Sequence, residues 1–347
     1  MNISRQLHDR FDPVVSHVKQ TFNSVIASGS ALIVIHNDSI VSEEYWGRHS
    51  SNLGSRPIQE DTQFHVASVR KSYIGFAVAY ARYKGYIASI DDQVIKYLSD
   101  LDANLLHSTT IRHLLTHTHG LNRSEGTIYR EFAPGKSWAY RGIGIDMLTQ
   151  IVKITTGKTV AEIVTEQVFQ PLGFKQSGWY GNKNDKLVEV ILRHPNDPAW
   201  YTSESTDGDK MNMYVSAREL AYWGYLHLQE GLINKKQIIP REIINLATSV
   251  QSPKSLDLDL PQNGYLWFLK DLPSKKTEIG ENVPQGTYQI LGYTGSTVLV
   301  IPKHNLVAVR MFNSFGSPTG FDYLEDIRSF GDTIMKCILN DSKRGST

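Results

Sequence analysis

Ser68-Val69-Arg70-Lys71 sets a hydroxyl and an amine three residues apart. On a helix, residues at that spacing share a face, so the Lys71 amine reaches the Ser68 oxygen. A serine hydroxyl is a weak nucleophile until a neighbour takes its proton, and an amine whose charge is opposed by burial can take it. A serine in a helix's first turn also sets backbone N–H groups beside any oxyanion formed there. Alone the tetrad is weak evidence, because such spacing arises often by chance and a helix start with a solvated lysine is the better explanation of it. Tyr140, closing the run Pro134-Gly135-Lys136-Ser137-Trp138-Ala139-Tyr140, adds a phenol that acts as acid or base where nearby cations favour its phenolate. Its plain alternative is one more packed ring among 17 tyrosines. Tyr293-Thr294-Gly295-Ser296-Thr297 opens an apolar run. As an edge strand, its glycine would admit a substrate backbone and its N–H groups would pair with substrate or an oxyanion. An ordinary turn into a strand is the alternative.

These segments need a frame. The chain has 347 residues, 40% of them hydrophobic, enough for a large core. Residues 8–28 carry apolar positions at helical spacing. ALIVIHNDSIVSEEYWG reads as two antiparallel strands about an Asn37-Asp38 turn. Residues 68–84, 110–118, 143–156, 160–169 and 217–229 carry helical apolar stripes. The polar stretch 182–210 reads as a long loop bordering a pocket. Beyond residue 262 the chain returns to strands and closes on a helix over 323–339. Strands at both ends and helices between predict an α+β fold: one antiparallel sheet flanked by helices, from residues 1–66 and 245–347, with an inserted helical domain over 67–244. The cleft between the two is the expected active site.

The formal net charge is +1 with both signs interspersed, which gives no footprint for nucleic acid. Cys337 stands alone, so no internal disulfide exists. No apolar run reaches the roughly 20 residues of a membrane span, and the start MNISRQLHDRF lacks a signal core. The expected location is the cytoplasm.

The order and spacing of Ser68, Tyr140 and the Gly295 segment resemble the class C β-lactamases, the penicillin-binding D-Ala carboxypeptidases and their related esterases and amidases. HVASVRKSYIGFAVAYARYKGYIASIDDQVIKYL is similar to that family's nucleophile helix and its continuation. TIRHLLTHTHGL resembles its TIRHLLTHTSGL signature, and FAPGKSWAYRGIGIDMLTQIVKITTGK resembles the segment around its tyrosine. MYVSARELAYWGYLHLQEG and NGYLWFL resemble its later helix and strand. The likeness runs over about residues 25–335. It implies the β-lactamase-like fold and a hydrolase in which Ser68 forms an acyl-enzyme, Lys71 and Tyr140 share proton transfer, and the N–H groups of Ser68 and Ser296 form the oxyanion hole. It also implies substrate contacts at Tyr293, Thr294, Gly295 and Gly142, and no metal or organic cofactor.

Two positions depart from the family pattern. Its Tyr-x-Asn is here Tyr140-Arg141-Gly142, and glycine supplies no amide. Its Lys-Thr-Gly (or His-Thr-Gly) is here Tyr293-Thr294-Gly295, without the cation that meets a substrate carboxylate. An ester, amide or peptide lacking that carboxylate therefore fits better than a β-lactam. The expected partner is a small or peptide-like substrate, with the oligomeric state open. Tyr140, Trp179, Trp200, Tyr201, Tyr293 and Phe315 are the aromatic residues expected to line the cleft. The rival reading is a catalytically weak ligand-binding or sensor protein on the same scaffold, which has no chemical need for Ser68, Lys71 and Tyr140 together.

Other motifs are weaker. His113 and His117 share a helix face as zinc ligands do, but the family signature holds both without metal, so structural or pocket-lining roles are expected for them and for His119. Gly135-Lys136-Ser137 lacks the earlier glycine of a phosphate loop, where Arg130 stands. There is no GxSxG elbow.

Overall fold

The computed structural model describes residues 1 and 3–344. A sheet of eight strands runs through it: β1 (Ser4–Arg5), β2 (Gly29–His36), β3 (Ser39–Gly47), β4 (Gln262–Asn263), β5 (Phe268–Lys270), β6 (Thr287–Leu291), β7 (Thr297–Ile301) and β8 (Leu306–Phe312). Their spatial order is β1-β3-β2-β8-β7-β6-β5-β4. All neighbours are antiparallel except β1 and β3. Asn37 and Asp38 turn the β2–β3 hairpin with φ of 48° and 63°, the left-handed pair that a two-residue hairpin requires and that Asn and Asp tolerate. The N- and C-terminal strands meet at β2 and β8, with Ile33 opposite Val309.

Strand side chains alternate between faces, and each face is covered. On one, Leu32, Val34, Leu299 and Ala308 pack with Val14 and Val18 of α1 (Asp12–Ser24) and with Ile327, Phe330 and Ile334 of α5 (Tyr323–Arg344). On the other, Ile33, Val300, Val307 and Val309 join a core that runs on into the helices: α2 (Arg70–Tyr83), α3 (Ile143–Thr156) and α4 (Ala217–Leu228). Truncating a wholly buried ring such as Phe330 to Ala costs about 3–5 kcal/mol. Helix α4 lies directly on the sheet. A Cβ at Gly224 would stand 2.7 Å from Val307 Cγ1, so glycine sets that spacing. Trp223 of α4 donates its Nε1 to Ser72 Oγ of α2 at 2.9 Å, tying the helix that follows Ser68 to the layer on the sheet.

Two expectations need correction. Tyr293–Ser296 is not an edge strand but the tight turn between β6 and β7, with Gly295 N donating to Gly292 O at 2.8 Å. Residues 262–270 add β4 and β5 outside β6, so the edge moves two strands away. Trp179 does not line the cleft. It is 6% exposed and meets Tyr73 edge-on within the helical core. The long loop of residues 182–210 holds one short strand, Ile191–Leu192, parallel to Ser314–Phe315.

Candidate active site

Ser68 lies in the short turn Ala67–Val69 that leads into α2. Ala67 has φ +45°, costing roughly 1–2 kcal/mol for a side chain with a Cβ. The contacts that hold it there come from His65. Its Nδ1 accepts from Ala67 N at 3.2 Å, and its Nε2 donates to the Met211 carbonyl, which fixes the tautomer. Burial lowers the His65 pKa to about 4, so the ring is neutral. One helical step on, Lys71 is 5% exposed and follows Ser68 on the same face.

Tyr140 arrives from a different stretch of chain. Residues 135–139 run along the histidine segment, with Gly135 N donating to Thr118 O at 2.8 Å and Ala139 N to His117 O at 3.0 Å. Trp138 Nε1 donates to the buried Asn263 Oδ1 at 2.8 Å. The Tyr140 ring then sits 4.6 Å from His117 and 6.4 Å from Phe268, centroid to centroid. Tyr140 is 36% exposed and lines the cleft, and its hydroxyl meets the buried Lys71. Lys71 Nζ is hydrogen-bonded both to Tyr140 Oη, at 2.6 Å, and to Ser68 Oγ, at 2.8 Å. Burial, and then the Arg70 charge, hold the Lys71 amine well below the ordinary lysine range. Burial likewise pushes Tyr140 up to about 12, against a hydrogen bond from Ser68 and the Arg70 charge. Both groups are therefore driven toward their neutral forms.

The β6–β7 turn closes the other side. A Cβ at Gly292 would lie 2.3 Å from the Val66 carbonyl oxygen, so only glycine lets this turn abut the one that carries Ser68. Thr294 Oγ1 donates to the His65 carbonyl at 2.8 Å, and Tyr323 Oη donates to the Gly292 carbonyl at 2.8 Å. Gly295 holds φ +83°, with Phe312 against its α-carbon.

Between these walls lies a cavity of about 420 Å³ bordered by Ser68, Trp138, Tyr140, Phe268, Tyr293, Phe315, Tyr323 and Glu278, with Met211, Leu291 and Leu324 among the aliphatic lining. Of the expected site residues, Ser68, Lys71 and Tyr140 come together, and Tyr293 lines the cavity. Thr294 and Ser296 are buried behind it, with Gly295 beside them. Gly142 is exposed at the start of α3 and is not among the lining residues. Arg141 turns to Glu131 at 2.9 Å, and Arg70 Nε donates to Lys210 O at 3.0 Å. Trp200 and Tyr201 line a neighbouring cavity of about 740 Å³ that shares Met211 with the first. Trp200 packs 5.1 Å from Phe315 and 5.1 Å from His65, forming the partition. His113 accepts from Thr110 N at 3.1 Å, and His119 Nδ1 accepts from Leu121 N at 2.9 Å, so both serve the backbone. Sequence reasoning missed Phe268, Tyr323, Asn263 and Glu278. The first lies in a strand legible as such; nothing local marks the side it faces.

A neutral amine within hydrogen-bonding reach of a serine hydroxyl, in an apolar cleft, is equipped to take that proton as the oxygen attacks an electrophilic carbon.

Residues 18–330 match the family described as Beta-lactamase. An uncharacterized protein of Alkalihalophilus pseudofirmus is 64% identical over 340 residues, covering 98% of this chain and 100% of that one. Esterase EstB of Burkholderia gladioli is 30% identical over 195 residues, 46% of this chain and 49% of the esterase. In fold, a penicillin-binding protein homolog from Caulobacter crescentus superposes with a TM-score of 0.75 at 16% identity, covering 97% of this chain and all of that one.

Proposed function

The chain belongs to the beta-lactamase family of serine hydrolases, and on that footing we propose that it cleaves an ester or amide bond through an acyl-Ser68 intermediate. One observation carries this reading: Lys71 Nζ, buried behind the cavity wall, bridges Ser68 Oγ and Tyr140 Oη, and both of those residues line the cavity. Ser68 Oγ attacks the acyl carbon as its proton passes to Lys71. The carbonyl oxygen takes up negative charge beside the backbone N–H groups of Ser68 and Ser296. Collapse expels the leaving group, which receives a proton through the Lys71–Tyr140 pair. Water then adds to the acyl carbon, giving a proton to the same pair, and the bond to Ser68 breaks as Ser68 Oγ takes that proton back and the acid leaves. With its phenol pushed up to about 12, Tyr140 works as a relay, and Lys71 is the standing base.

The substrate class follows from charge. No lysine, arginine or histidine lines the cavity, so a β-lactam's carboxylate finds no partner. Esters and amides without a carboxylate are the better fit, in line with an esterase among the relatives.

Pre-steady-state release of nitrophenol from a short-chain nitrophenyl ester tests the proposal. A burst or steady turnover that disappears in Ser68→Ala supports the acyl-serine enzyme. Equal rates in both proteins reject it.

A further inference from the structure

Glu278 lies in the loop between β5 and β6. Its carbonyl accepts from the buried Gln289 Nε2 at 2.7 Å, and the next residue, Ile279, is wholly buried, so its place on the cavity wall is fixed. Its Oε2 is enclosed and meets no hydrogen-bond partner among the described residues. Six aromatic residues line the same space: Trp138, Tyr140, Phe268, Tyr293, Phe315 and Tyr323. Glu278 is the one carboxyl group among the lining residues, and no cationic side chain stands with it. Burial pushes its pKa up, opposed only by the charge of Arg328, which itself pairs with Glu325 at 3.1 Å.

An uncompensated carboxylate in an apolar enclosure is costly, and a cation that enters offsets that cost. Any of these rings that turns its face to the cavity attracts the same kind of ligand. A ring presents negative charge on its face, and a quaternary alkylammonium, with no N–H to hydrate, gives up little water to reach it. An anion would meet both the carboxylate and the ring faces unfavourably. We propose that the substrate of this cleft carries an organic ammonium group, seated against Glu278 and the surrounding aromatic rings. The proposal rests on the acyl-Ser68 reading and adds the charge of the substrate to it.

Two isosteric pairs test it, one for each side of the scissile bond. The first is the nitrophenyl ester of γ-trimethylammoniobutyrate against the ester with carbon in place of nitrogen. The second is acetylthiocholine against the thioester with the same replacement. Each rate is divided by that compound's rate with hydroxide. In the wild type, kcat/KM favours the cationic member of at least one pair by about tenfold or more, and in Glu278→Gln that ratio falls to near one. The ratio is internal to each protein, and the wild-type ratio needs no variant. Ratios near one for both pairs in the wild type, or a preference that persists in Glu278→Gln, overturn the proposal. Ser68-dependent turnover of neutral members without any charge preference rejects the ammonium site alone. No Ser68-dependent turnover of any of the four rejects the hydrolase reading, and this one with it.

Discussion

Lys71 Nζ lies 2.6 Å from Tyr140 Oη and 4.0 Å from the centre of the Tyr140 ring, although 69 residues separate the two along the chain. Each group alone would be charged or polar enough to resist burial. Together they share a hydrogen bond while burial drives both toward their neutral forms, which favours an uncharged amine beside Ser68.

That arrangement fixes a pH profile. An amine acts as base only when deprotonated, so acylation should rise with pH through the lowered Lys71 pKa and then stay flat below the Tyr140 value of about 12. Lys71→Met should lose this limb and at least about 100-fold in rate, with melting close to wild type. An unchanged limb in the variant would remove Lys71 from the mechanism.

Gly292→Ala should act on catalysis through geometry. The added Cβ would meet the Val66 carbonyl at 2.3 Å, so the turn bearing Ser296 must move away from the one bearing Ser68. A displacement near 1 Å at a reacting pair costs on the order of 100-fold. A fall in kcat with near-native circular dichroism is expected, and full activity would show that the two turns need not abut.

Asp326→Asn tests the far face of the sheet. Arg310 is 1% exposed and its guanidinium pairs with Asp326, which also accepts from Thr21 at 2.6 Å. Removing the charge leaves a buried cation unpaired, at a cost of about 3–5 kcal/mol. Urea denaturation measures this, and a change below about 1 kcal/mol would contradict it.

Acid should unfold the protein early. His65, His119 and His227 are buried with pKa values lowered to about 4 from the ordinary 6.5. Between those values the unfolded chain binds more protons, so stability falls as pH falls. Near pH 5 each contributes a loss of about 2 kcal/mol, together comparable to a typical domain's stability. Melting temperature should therefore drop steeply from pH 6.5 to 5, and a flat profile would count against neutral burial of these rings.

Much of this was legible beforehand. Ser68 and Lys71 sit on one helical face, a relation that spacing alone encodes, and the hairpin at Asn37-Asp38 follows from local backbone preference. The family likeness supplied Tyr140, whose meeting with Lys71 depends on a path along residues 117–118 that no periodicity reveals. Glu278 and Tyr323 were invisible because their meaning comes from the cavity they share with Ser68, a relation between segments about 200 residues apart or more. Trp179 and Trp200 look alike in sequence; packing against Tyr73 or Phe315 separates them. Tyr293–Ser296 read as an edge because the short strands of residues 262–270 were legible as strands but not as its outer neighbours.

The pairing of β2 with β8 also sets a timetable. Ser30 is opposite Phe312, and His36 is opposite Leu306, so the middle of the sheet joins sequences some 270 residues apart. During synthesis at roughly 5–20 residues per second, the β2–β3 hairpin waits about 15–50 s for its partner. All of β2 is buried in the finished protein, so an apolar ribbon with an open hydrogen-bonding edge stands unprotected on the ribosome for that interval. Folding yield in the cell should accordingly depend on translation speed and on holdase chaperones, even though the completed molecule buries this strand on every side.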